Sequence, residues 1–108
     1  MSEVVVIAIV TAAEGKTVQA EALIREIIAP THAEAGCITF ALHRDLDDPH
    51  RLVLIERWQS RAALDQHLAT DHLAAFRARI PDVVGAPTQV LVMEALVEGD
   101  PSKGLLGG

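Results

Sequence analysis

Between positions 56 and 76 the chain gathers most of the side chains that could do chemistry: Glu56-Arg57-Trp58-Gln59-Ser60, then His67, then His72 and Phe76. An imidazole is the side chain best matched to taking a proton from a phenol near neutral pH, above all inside an apolar pocket that keeps it neutral. The chain has no Tyr, one Trp and two Phe, Phe40 and Phe76, so the indole of Trp58 supplies much of its capacity to stack on a flat ligand. The stretch reads as part of a pocket for a flat ligand, with His67 and His72 as candidate bases and Glu56, Trp58 and Phe76 as candidate lining residues.

His67 and His72 stand five positions apart, which on a continuous helix separates them by roughly 140° and makes shared metal ligation awkward. No metal site is expected, although a break near Thr70 would redirect both rings. His72 and Phe76 lie one turn apart and could line one wall. The competing reading makes Trp58 a core filler, Glu56 the partner of an arginine, and the histidines cap or surface residues. His32, His43 and His50 fall in turn or strand contexts and are expected to be structural or solvated. No Gly-rich phosphate loop follows a strand, no nucleophile elbow surrounds Ser60, and no HExxH pattern occurs.

The elements that must hold these groups can be read from periodicity. Val4 to Val10 is a β-branched run that Glu14-Gly15-Lys16 breaks as a turn would. Thr17 can cap a helix carrying Ala20, Leu23, Ile24, Ile27 and Ile28 at helical spacing, with Pro30 disfavouring helical geometry at Ala29. Cys37 to Asp45 and Leu52 to Trp58 read as antiparallel strands joined by Leu46-Asp47-Asp48-Pro49. Ser60 and Thr70 are N-caps for two short helices, the second carrying Leu73, Phe76 and Ile80 up to Pro81. Thr88 to Val97 supplies a last strand. This order is that of an α+β ferredoxin-like sandwich, an antiparallel sheet with helices on one face. On the third strand Leu52, Leu54, Glu56 and Trp58 share a face, and Val53, Ile55 and Arg57 share the other.

At 108 residues there is room for one domain, taken as 1–97, with the Gly-rich segment 98–108 a mobile tail unless Leu105 and Leu106 dock. Nine basic against 15 acidic residues leave a net charge of −6, and no Lys/Arg run could neutralise a phosphate backbone, so neither nucleic acid nor a membrane surface is an expected partner. Cys37 is the sole cysteine, which excludes an intrachain disulfide and suits a reducing compartment. The first apolar run is too short to span a bilayer and follows Glu3 rather than a basic segment, so a cytoplasmic protein is expected. The first and last strands are apolar on both faces, yet helices can cover only one. A homodimer packed sheet to sheet about a twofold axis is the expected cover.

Glu34-Ala35-Gly36-Cys37, Glu56-Arg57-Trp58-Gln59-Ser60, His67 and His72-Leu73 together resemble the antibiotic biosynthesis monooxygenase (ABM) domain, over nearly the whole chain to about Val97. The resemblance implies ferredoxin-like dimers, dimeric α/β barrels with a pocket between sheet and helices. It also implies oxidation of a quinol or anthrone by O₂ without flavin, haem or metal, hence no cofactor. In that scheme Trp58 would stack on or hydrogen-bond the substrate, His67 or His72 would accept its proton, Phe76 would exclude water and Glu56 would orient a histidine. Relatives that degrade haem use an Asn on the first strand, which has none here. Relatives that isomerise phosphorylated metabolites need converging basic residues, for which Arg44 and Arg57 are the strand candidates. A non-catalytic dimer that binds a hydrophobic metabolite is the remaining alternative.

Overall fold

In the computed structural model, which describes residues 2–107, four strands and three helices alternate as β1 (Val4–Thr11), α1 (Thr17–His32), β2 (Cys37–Arg44), β3 (Arg51–Trp58), α2 (Arg61–Leu68), α3 (Asp71–Arg79) and β4 (Gln89–Met93), with a 3-10 turn over Ile80–Asp82 before β4. The sheet runs β2-β3-β1-β4, and each neighbouring pair is antiparallel. This is the expected α+β ferredoxin-like sandwich.

Cross-strand register decides which residues meet the helices. Val6 pairs with Glu56 and Val92, and Ala8 with Leu54 and Val90, while Phe40 pairs with Glu56 and Leu42 with Leu54. These side chains share the face against which Ala20, Leu23, Ile24 and Ile27 of α1 pack with Leu64, Leu73 and Ile80. Stripping water from this apolar layer is the main force holding the helices to the sheet.

Two local features depart from the periodic reading. α1 continues through Pro30 to His32. A proline this close to a C-terminus removes one i→i−4 bond, here to Glu26, and both residues are exposed, so water can take up the freed carbonyl. β4 ends at Met93 rather than Val97. Beyond it Leu96 and Val97 are exposed, as are Leu91 and Met93 on the outer sheet face. That outer face also carries Ile7, Ile9, Val53 and Ile55, all half-buried. The tail turns about Asp100, whose carbonyl accepts from Lys103 and Gly104 N–H at 2.9 and 2.8 Å, and brings Gly107 beside the Arg57 guanidinium. The expected tail extends to Gly108, which lies outside the described residues.

Candidate active site

Both short helices start as their caps dictate. Ser60 Oγ accepts from Ala63 N–H at 3.1 Å, and Thr70 Oγ1 accepts from Leu73 N–H at 3.4 Å while donating to His67 C=O at 2.7 Å. Thr70 thus ends α2 and starts α3 within one turn, and the break points His67 and His72 at the same target. That target is Glu34, in the loop between α1 and β2. His67 Nδ1 lies 2.7 Å and His72 Nε2 2.9 Å from one and the same oxygen, Glu34 Oε2. The straight-helix geometry that sets the two rings far apart does not apply across the break.

Glycine 36 makes this convergence reachable. A Cβ there would collide with the Cβ of Ala63 on α2, so only glycine lets α2 lie this close to the α1–β2 loop. Gly36 C=O also accepts from Gln59 N–H at 2.9 Å, fixing the loop to the end of β3.

A cavity of about 250 Å³ opens between the sheet and the helical pair. Glu56 and His67 are the titratable groups of its inner wall; Phe40, Leu54, Leu64 and Leu73 supply apolar surface, and Phe76, Arg77, Val90 and Val92 also line it. His67 is nearly fully buried, and its ring lies 4.5 Å from that of Trp58, tilted by 34°, and 5.7 Å from Phe40. A carboxylate oxygen can only accept, so Glu34 accepts a hydrogen bond from Nδ1–H of His67, and in the neutral ring Nε2 then carries the lone pair. Among the described residues no protein group bonds Nε2, which makes it the nitrogen available to a ligand.

Glu56 is 5% exposed. Its Oε1 accepts the Trp58 indole N–H at 2.9 Å. Burial lifts its pKa to about 7 against the downward pull of that hydrogen bond, and the nearby Glu34 charge adds to the rise. A carboxyl group that exchanges its proton near neutrality therefore shares the cavity with an oriented imidazole.

Two expected site residues sit elsewhere. Trp58 is completely buried and does not line the cavity; it stacks behind His67 and holds Glu56, so the expected stacking on substrate is not the geometry found. His72 lines a separate hollow of about 140 Å³ with Leu23 and Ile27, and Phe76 divides that hollow from the cavity. Neither of the two expected arginines reaches the site: Arg57 lies on the outer face in a bidentate pair with Glu3, and Arg44 pairs with Glu21. Of the other histidines, His32 Nε2 meets Phe40 C=O at 2.9 Å, and His43 and His50 are on the surface. Glu34 and Arg77 are the site residues that sequence reasoning did not assign. Glu34 is 33 positions from His67, and nothing in local spacing links them.

Residues 3–79 match the profile of the family described as Antibiotic biosynthesis monooxygenase. A relative in Mycobacterium tuberculosis named "Putative monooxygenase Rv0793" is 39% identical over 77 residues, 71% of this chain and 75% of its own length. The solved structure of Rv0793 superposes with a TM-score of 0.86 at 35% identity, covering 92% of this chain and all of that one. The structure of PA3566 from Pseudomonas aeruginosa gives 0.83 at 32% identity, covering 89% and 96%. With a family match over most of its length and the same fold in these relatives, the chain belongs to the antibiotic biosynthesis monooxygenase family.

Proposed function

We propose that the protein is a cofactor-independent monooxygenase that oxidises a small aromatic quinol with O₂. The observation that carries this reading is the pairing of His67 Nδ1 with Glu34 Oε2 at 2.7 Å, which leaves Nε2 as a base on the wall of an apolar cavity. His67 takes the phenolic proton. The resulting anion gives one electron to O₂, the radical pair combines to a hydroperoxide, and loss of water leaves the new carbonyl. One oxygen atom enters the product and the other departs as water, with all electrons drawn from the substrate. In this reading Glu56, whose pKa burial lifts to about 7, returns a proton to the leaving oxygen. Fixing the substrate beside both groups is the protein's main contribution.

The cavity volume narrows the substrate. About 250 Å³ falls just below the roughly 300–1,000 Å³ of ordinary small-molecule sites, which favours a one- or two-ring quinol over a three-ring anthrone. Arg77 at the lining favours an anionic substituent. A single cation is poor support for an isomerase of phosphorylated metabolites. The non-catalytic reading, a dimer sequestering a hydrophobic metabolite, draws on the same apolar wall without needing Nε2.

The partner in this reading is a second copy of the chain. Half-buried Ile7, Ile9, Val53 and Ile55 and exposed Leu91 and Met93 lie on the outer sheet face, and packing two such faces about a twofold axis would remove them from water. The cytoplasm is the proposed location; among the described residues no helix is long and apolar enough to cross a membrane. The deciding experiment is oxygen uptake by chelator-treated protein offered a panel of hydroquinones, corrected for autoxidation. Enzyme-dependent uptake supports the oxygenase; ligand-dependent quenching of Trp58 fluorescence with no uptake would replace it with the binding reading.

A further inference from the structure

We propose that Glu34, His67 and His72 form a site for a zinc-like divalent cation, and that filling it switches His67 off as a base. The three ligand atoms, Glu34 Oε2, His67 Nδ1 and His72 Nε2, lie within 4.8 Å of one another. They come from three separate segments, the α1–β2 loop, α2 and α3, which are held against each other by the Thr70 break and by the close approach at Gly36. Two imidazoles and one carboxylate with a fourth position open to water is a donor set suited to zinc and its neighbours in the transition series.

Burial grades across the cluster in the way an accessible site requires. The His67 side chain is 4% exposed, Glu34 15% and His72 23%, so a cation can enter from the His72 side and finish against a rigid inner ligand. Both nitrogens now crowd one oxygen at hydrogen-bond distance. Metal bonds of about 2.0–2.2 Å at tetrahedral angles need these contacts to widen by roughly half an ångström, within reach of a small rotation of His72 on the first turn of α3.

The switch follows from proton bookkeeping on one ring. With Glu34 as acceptor, His67 carries its proton on Nδ1 and offers the Nε2 lone pair to the cavity. A cation on Nδ1 displaces the proton from that nitrogen and takes up the lone pair exposed there, so a neutral imidazole must then carry its proton on Nε2. The nitrogen facing the substrate changes from acceptor to donor. Binding of the cation stands on the cluster alone; the inhibitory consequence rests on the oxygenase reading.

Calorimetric titration of the chelator-stripped full chain with Zn²⁺ near neutral pH tests the site. The expected result is one cation per chain, with affinity lowered at least about tenfold in both Glu34→Gln and His72→Gln. The second variant keeps an N–H for Glu34 but loses the imidazole lone pair, and circular dichroism checks that each is folded. Absence of binding, or binding unchanged in both variants and therefore housed at His32, His43 or His50, overturns the site. One equivalent of Zn²⁺ is expected to suppress oxygen uptake and a chelator to restore it. Stoichiometric binding with uptake unaltered overturns the switch, and failure of uptake with every substrate counts against the oxygenase reading while calorimetry still judges the site.

Discussion

The indole N–H of Trp58 donates to Glu56 Oε1 at 2.9 Å, two residues apart on the same face of β3, and ties down a buried carboxyl group that shares the cavity wall with His67 and apolar side chains. Trp58→Phe removes the donor and keeps most of the packing. Leaving a buried acceptor unsatisfied costs about 1–3 kcal/mol, which chemical denaturation at neutral pH will read as a lower midpoint. An unchanged midpoint would mean that Glu56 finds another partner.

Glu56 also makes stability depend on pH in a definite direction. Its folded pKa, about 7, lies above the ordinary 4.5, so between these values the native state holds a proton that the unfolded chain has released. Its contribution is therefore complete below about pH 4.5 and is lost as pH rises through 7. The gap corresponds to about 3 kcal/mol at alkaline pH. Glu56→Gln imitates the protonated form. It should exceed the parent in stability at pH 8, by up to that amount, and converge with it at low pH; parallel stability curves for the two proteins would remove the assignment.

His67 and His72 should separate in kinetics. Losing a positioned general base lowers the rate by roughly 10²–10⁴, and His67→Gln should fall in that range with little change in KM. His72 touches Glu34 and lies outside the cavity, so its loss acts only through the orientation of His67 and should cost less. A larger loss at His72 than at His67 would reassign the base.

The apolar outer face yields a prediction about assembly. Ile55 sits on β3 opposite Ile7 and Ala41 on the neighbouring strands. A charge placed there by Ile55→Asp would be buried unpaired in a sheet-to-sheet dimer, and such a penalty exceeds what a standard interface can absorb. Light scattering should find the parent dimeric and the variant monomeric; a monomeric parent would leave this face without its proposed cover.

What the sequence made legible was what local physics determines. Ser60 and Thr70 act as caps because a short hydroxyl side chain satisfies a helix's orphan N–H groups wherever it falls, and Glu56 and Trp58 share a face because strands alternate. Pro30 does not end α1, because a proline's cost depends on how near the helix end it falls and on whether water reaches the freed carbonyl. Whether Trp58 faces a ligand or fills the core is open in the sequence, because scarcity of aromatics marks a residue as valuable without saying which side of a wall it occupies. Glu34 stands in one of the segments that carry the family resemblance, but no local spacing ties it to His67. Its contact with His67 is set by how closely two segments pack, and that distance is a tertiary quantity.

Gly36 is the test of that last point. Gly36→Ala adds one methyl group, which meets the Cβ of Ala63, so α2 must move away or the loop must lift. Overpacking of this kind costs about 1–3 kcal/mol, and either movement draws Glu34 away from His67. Ala63→Gly in the same background removes the opposing methyl group, although glycine within a helix itself costs about 1 kcal/mol. If the close approach is what latches Glu34 to His67, the double variant loses clearly less stability than the two single losses added together. The ¹⁵N signature of a protonated Nδ1 on His67, lost in Gly36→Ala, then returns. Strict additivity, or a tautomer unmoved by Gly36→Ala, would show that the imidazole is oriented by the Trp58 and Phe40 rings rather than by the loop.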